Sequence, residues 1–302
     1  MTGDHAHHHP TGDRRRMWVA MALLVSFMFV ELAVGALSGS IAVLADAGHM
    51  VTDAGALAGG LWALNLTDRP ASGRWTYGLV RAEILAGAAN GVTLAAVGAV
   101  ILFEACRRLA APPVVSGGYL MSTAGAGVAV TLVATIVLAG ADRRSLNVEG
   151  VFQHVLTDLY AFGGTFVAGL VILLTGFRRA DPLASLLVVA LMARAAARLL
   201  VASGRVLLEG TPEHVDLEEV RSHILGLPEV LSVHDLHAWT LGSSHPALSA
   251  HVVVTDRCLA DGGSARLLDA LQACLAGHFD VGHSTFQLEP GGHVDHELAG
   301  HD

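Results

Sequence analysis

The sequence predicts a polytopic α-helical membrane protein of six transmembrane helices followed by a small soluble α+β domain. Three observations carry that expectation. The 302 residues are 53% hydrophobic and only 15% charged, a balance found in chains that place much of their length in lipid. Six apolar runs, at 17–38, 40–66, 81–107, 116–141, 146–176 and 182–206, are each long enough to cross a hydrocarbon core, which needs about 20 helical residues. Beyond residue 210 the sequence turns polar and its apolar residues recur at the periods of short helices and strands. The chain therefore divides into a tail at 1–16, a membrane unit at 17–209, a soluble domain at 210–290 and a loose tail at 291–302.

The N-terminal tail carries His5, His7, His8 and His9 ahead of Arg14, Arg15 and Arg16. It lacks an apolar pattern and is expected to be disordered, either a weak metal-collecting tract or a neutral extension. The first apolar run is too long for a signal peptide and has no cleavage site. Ser38-Gly39-Ser40 is a hairpin that makes the first two runs antiparallel neighbours. All 18 basic residues are arginines. With the N-terminus inside, eight of them (Arg14, Arg15, Arg16, Arg69, Arg74, Arg81, Arg143, Arg144) fall on inner segments and four (Arg107, Arg108, Arg178, Arg179) on outer ones. That bias puts the N-terminus, and after six spans the C-terminus, in the cytoplasm. Arg194, Arg198 and Arg205 recur at helical spacing near the inner end of the sixth run, where they either snorkel to the interface as anchoring charges or extend into water as a stalk. The net charge of −9 excludes nucleic acid as a partner. Cys106, Cys258 and Cys274 are far apart and read as reduced thiols used as small core residues.

In the soluble part, Leu217, Val220, Ile224 and Leu225 form one helical face closed by Gly226 and Pro228. β-Formers at 230–241 and 247–255 flank a turn at 243–246. A second amphipathic helix presents Leu267, Leu268, Leu271, Cys274 and Leu275, and a short strand follows at 284–289. The order α-β-β-α-β makes a sheet covered by two helices. About 80 residues is marginal for a lone domain, and dimerisation would help it.

One phrase occurs twice inside apolar runs: His49-Met50-Val51-Thr52-Asp53 and His154-Val155-Leu156-Thr157-Asp158. A His and an Asp four apart share one helix face. Two such helices facing each other offer two imidazoles and two carboxylates, a tetrahedral Zn²⁺ set. Ionisable groups at membrane depth are costly and usually functional. Two neutral imidazoles and two carboxylates neutralise a dication. When the ion leaves, protonation of a His or Asp becomes favourable, so metal and proton compete for the same atoms. Asp46 is either an entry ligand or a packing partner; Thr52 and Thr157 either orient the carboxylates or bond back to the preceding turn.

These stretches, together with Leu44 to Asp53, Tyr77 to Leu85, Ser145 to Asp158, Leu207 to Pro212 and Val233 to Leu241, resemble the cation diffusion facilitator family of zinc transporters, in the family's order from about 17 to 290. The resemblance implies a homodimer joined through the cytoplasmic domain and membrane helices. It also implies a ferredoxin-like, metallochaperone-like cytoplasmic domain and H⁺-coupled export of Zn²⁺ across a bacterial inner membrane. The His-Asp/His-Asp arrangement is similar to that of zinc-selective members. The loop from Asp68 to Tyr77 has no His, so a second site found there in some relatives is expected to be absent. By analogy the family binds Zn²⁺ in the cytoplasmic domain with His from the first two strands and a carboxylate from the last. His251 and Glu289 match best, His237 next, and His283 and His234 are further candidates. Two other readings compete. A membrane metalloenzyme would need an open coordination position and a general base, and a zinc sensor that does not transport would leave the intramembrane charges without a task.

Overall fold

The computed structural model describes residues 10–38, 54–55, 57–112, 117–143, 145–242, 246–260 and 262–293. The chain separates into two compact units, Met1–Ser203 and Gly204–Asp302.

Among the described residues, the named elements of the first unit are all helices. Its elements are α1 (Pro10–Ser38), α2 (described over 57–67), α3 (Ala82–Ala110), α4 (Gly117–Ala139), α5 (Leu146–Thr175) and α6 (Ala180–Leu207). Among the described residues, the helical stretches Ala82–Ala110, Leu120–Ala139, Leu146–Thr175 and Ala180–Leu207 are long and apolar enough to cross a membrane. Large apolar side chains such as Phe103, Ile136, Leu174 and Val201 point outward from them. Lipid is as apolar as these side chains, so helix association rests on close packing instead. The expected disorder of residues 1–16 needs correction for its last seven positions. Helix α1 starts at Pro10, a residue suited to a first helical turn, and runs through the arginines. That turn is tied down: Arg14 pairs with Asp68, and the Asp13 carboxylate accepts the Asp142 backbone N–H at 3.0 Å.

Helix α5 is the hub. One of its faces joins Met17, Leu24, Leu57, Leu61 and Leu138 in a core with its own Val148, Val151, Phe152 and Val155. A second core joins Leu94 of α3 to Val188, Met192, Ala195 and Leu199 of α6. Small residues let the helices meet. A Cβ on Gly87 would stand 3.0 Å from the Leu146 carbonyl, and one on Gly60 would stand 2.8 Å from Met17 and 2.9 Å from Val151. The N-terminus of α5 is capped by Ser145, whose hydroxyl donates to the Glu83 carboxylate of α3 at 2.9 Å. Its C-terminus ends in the left-handed Gly176.

The second unit follows the expected α-β-β-α-β order with one addition. α7 (Leu217–Leu225) leads into β1 (Val230–Thr240) and β2 (Pro246–Val254). A short α8 (Asp256–Ala260), absent from the sequence reading, precedes α9 (Gly263–His278) and β3 (His283–Pro290). The sheet runs β1-β2-β3, with β1 antiparallel and β3 parallel to the central β2. Asp216 caps α7 by accepting the Glu218 and Glu219 N–H groups. Val220, Ile224, Leu267, Leu271 and Leu275 from the helices bury Leu248, Ala250, Val252 and Val254 of β2. Of the three thiols only Cys258 is a buried core residue; Cys274 is half-buried and Cys106 is exposed, which corrects the expectation for those two.

Candidate functional site

In the membrane unit, His154 and Asp158 stand one turn apart on α5. They are 3% and 6% exposed, inside the buried stripe Asn147, Val151, His154, Val155, Asp158. A carboxylate in such a place costs several kcal/mol, on the order of a buried ion, unless a cation or a proton balances it. The scaffold that holds the stripe is polar as well. The Asn147 side-chain amide donates to the Gly60 carbonyl of α2 at 2.7 Å. The other half of that amide, Asn147 Oδ1, and Asn90 Nδ2 on α3 are buried without a hydrogen-bond partner among the described residues. Thr157 bonds back: its hydroxyl donates to the Gln153 carbonyl at 2.7 Å, one turn earlier in its own helix. Its proton is therefore not directed at Asp158. Asp46, His49, Thr52 and Asp53 lie outside the described residues.

In the soluble unit, three strands bring His234, His251 and Glu289 together, with one ligand atom from each within 4.8 Å of the others. His251 Nδ1 is 2.9 Å from Glu289 Oε1, and His234 Nε2 is 3.2 Å from Glu289 Oε2. The two imidazoles stand edge to face with centroids 5.1 Å apart. An ion bound at about 2.1 Å from each atom in a tetrahedron needs ligand atoms about 3.4 Å apart, a spacing within the range that this group spans. Glu289 is only 1% exposed, and Gln287 Nε2 donates to its Oε1 at 2.7 Å. Asp235 Oδ2 lies 3.9 Å from His234 Nδ1 and 4.0 Å from His251 Nδ1, adding negative charge to the same pocket.

The strand register decides which histidines join. His234 pairs directly with His251, whereas His237 pairs with Ser249. Between them three residue steps on β1 match two on β2, a β-bulge containing Asp235 with φ of 45°. The bulge keeps both histidines on one sheet face but moves His237 two positions from His251, about 7 Å along the strand. The preference for His237 over His234 is thereby reversed in the geometry. His283 opens β3 opposite Ala247, six residues before Glu289, which is about 20 Å of strand. His237 and His283 are not members of the three-residue group. Asp235 and Gln287 escaped the sequence reading. The signal for Asp235 was the odd spacing in His234-Asp235-Leu236-His237, which a regular strand cannot place on one face.

Residues 17–208 match the family model described as "Cation efflux transmembrane domain", and residues 212–291 match "Cation efflux protein, cytoplasmic domain". The chain is 37% identical over 311 residues to "Zinc transporter ZitB" of Escherichia coli (strain K12), with 98% of each chain covered. It is 37% identical over 289 residues to "Metal cation efflux system protein CzcD" of Cupriavidus metallidurans, covering 96% of this chain and 90% of that one. A Bacillus subtilis protein named "Cadmium, cobalt and zinc/H(+)-K(+) antiporter" is 34% identical, covering 95% of this chain and 93% of the relative. Among solved structures, a metal-bound C-terminal domain of the CzcD transporter is 43% identical, covers 25% of this chain and 99% of its own, and has a TM-score of 0.23. The chain belongs to the cation efflux, or cation diffusion facilitator, family, and is a membrane transporter of metal cations rather than an enzyme.

Proposed function

We propose that the chain exports Zn²⁺ from the cytoplasm in exchange for H⁺, by alternating access around a site made of His49, Asp53, His154 and Asp158. The observation that carries this reading is the His154/Asp158 pair, buried at one turn's spacing in the helix that most of the membrane unit packs against. The Asp158 carboxylate requires a positive partner in either state of the cycle. Zn²⁺ as substrate supplies it when loaded, and a proton supplies it after release. Imidazole with carboxylate favours Zn²⁺ over harder ions, and Cd²⁺ or Co²⁺ would share the same donors. Relatives named as zinc transporters, and one named as an antiporter that includes H⁺, support the choice of substrate and counter-ion.

The functional unit is a homodimer in a bacterial inner membrane, with both termini cytoplasmic. The arginine bias and the match of the C-terminal unit to a cytoplasmic domain support that orientation. The membrane unit ends near residue 209, and the domain at 210–290 holds regulatory Zn²⁺ through His234, His251 and Glu289. The test is Zn²⁺ uptake into inside-out vesicles under an imposed proton gradient. Uptake that collapses with the gradient is expected, as is its loss in Asp158→Ala. Normal uptake by that variant would overturn the site, uptake indifferent to the gradient would overturn H⁺ exchange, and metal binding without any flux would leave a sensor.

A further inference from the structure

The helical side of the soluble unit carries a second group of metal-type donors. An open groove of about 640 Å³ runs between α7 and α9, lined by Ser222, His223, Leu227, Cys274 and His278 among others. His223 and His278 face each other there with ring centroids 5.0 Å apart and planes tilted by 45°. Two imidazoles that share one tetrahedral ion at about 2.0–2.1 Å per nitrogen have centroids about 5.2 Å apart. The pair therefore stands at the separation that a shared ion requires. The sheet-face pair, His234 and His251, stands at nearly the same distance, 5.1 Å.

Each ring is also fixed in the tautomer that a ligand needs. His223 Nδ1 lies 2.9 Å from the Glu219 carbonyl, and His278 Nδ1 lies 3.0 Å from the Cys274 carbonyl. A carbonyl can only accept, so Nδ1 of each ring carries the hydrogen and Nε2 keeps its lone pair. A second-sphere carbonyl of this kind is what orients metal-bound imidazoles generally. Phe279 and His223 pack edge to face, with centroids 5.2 Å apart at 88°, a contact that restricts the His223 ring. Cys274 lies one helical turn before His278 and lines the same groove. Among the described residues only the sheet-face group has all its ligand atoms within 4.8 Å of one another. The groove set therefore closes only when its side chains draw together around an ion.

We propose that His223, His278 and Cys274 form a separate metal site on the outer helical face of the soluble unit. It would take a borderline-soft divalent ion such as Zn²⁺ or Co²⁺, with water completing the tetrahedron. The site is independent of the transport reading, since it shares no ligand with His154 and Asp158 or with the sheet face. A thiolate ligand is its distinguishing mark, because neither of the other sets contains cysteine.

The experiment is a Co²⁺ titration of the full-length protein, purified in detergent and stripped with a chelator. The expected result is one equivalent per chain that develops a thiolate-to-cobalt charge-transfer band in the near ultraviolet and is displaced by Zn²⁺. Cys274→Ser should remove the band. Substituting both imidazoles as His223→Gln with His278→Gln should shift its midpoint about tenfold or more, since even outer-sphere changes cost that much. Glutamine keeps a polar side chain at each position, and circular dichroism of both variants checks that the helices persist. No thiolate band, a band that survives in Cys274→Ser, or a midpoint unmoved in the double glutamine variant would each overturn the site.

Discussion

His154 and Asp158 stand one helical turn apart on a single element, whereas His234 and Glu289 are 55 residues apart in sequence and meet only across a sheet. In the helix, the spacing of the two proposed ligands is a property of the α-helix itself. On the sheet, ligand identity depends on register, on a bulge and on the parallel pairing of β3 with β2. The first arrangement is local and tolerates little change at the ligands. The second is non-local, and one residue of slippage replaces its members.

The largest effect is expected where charge and burial combine. Asp158→Asn keeps the shape of the side chain but removes the charge that a dication needs. Breaking a buried charge pair costs about 3–5 kcal/mol, so transport into vesicles should fall by roughly 100-fold or more. Helix content measured by circular dichroism should be unchanged, because Asn fits the same helical position. Transport within a few-fold of wild type would mean that the buried stripe of α5 is structural.

The sheet-face site sets a sharper test, because it separates two histidines three residues apart. Removing one ligand of three should weaken Zn²⁺ binding about tenfold or more in a chelator competition, by comparison with outer-sphere changes of 10–100-fold. His234→Ala should show that loss, and His237→Ala should not. The reverse result would place the ion along the Ser249 pair instead and would break the register argument. Gln287→Ala should fall between them, since it removes the amide that holds Glu289 Oε1.

This contrast also explains what the sequence made legible. The apolar spans at 82–110, 120–139, 146–175 and 180–207, the single helices and strands of the soluble unit and the one-turn spacing of His154 and Asp158 are each patterns within one element and read directly from residue spacing. The start of α1 at Pro10 was not legible, because its polar first turns are held by Arg14 with Asp68 and by Asp13 with Asp142, contacts between distant segments. The choice of His234 over His237 was hidden for the same reason. A β-bulge leaves no apolar period, and its local trace is the three-residue spacing of His234 and His237 around Asp235, which adopts positive φ. The pairing of His223 with His278 across α7 and α9 has no sequence trace at all.

A smaller effect distinguishes the two faces of the soluble unit. Burial pushes the Cys274 thiol up from its ordinary value. The folded protein therefore keeps this thiol protonated at a pH where the unfolded chain, at about 8.5, has begun to ionise. The stability linked to the protonated thiol is full below the unfolded value and is lost as pH rises through the folded one. In metal-stripped protein, alkylation of Cys274 followed by mass spectrometry should be slower when folded than in denaturant at the same pH, by roughly threefold or more. Equal rates would mean that the groove leaves the thiol fully hydrated.

The smallest effect concerns the threonine inside the repeated phrase. Thr157 is 3% exposed and sits beside Asp158, which makes it a natural candidate to orient the carboxylate. Its hydroxyl donates instead to the Gln153 carbonyl at 2.7 Å, within the same helix. Such back-bonding is slightly unfavourable to a helix, because the carbonyl already has a backbone partner. Valine has nearly the same shape and lacks only that bond. Thr157→Val should therefore leave vesicle transport within about twofold of wild type and helix stability unchanged or slightly higher. A tenfold loss would show that the hydroxyl turns toward Asp158 during the cycle. The α5 pair would then depend on a rearrangement of its neighbours, as the sheet-face group depends on register, and the distinction between a local and a non-local site would narrow.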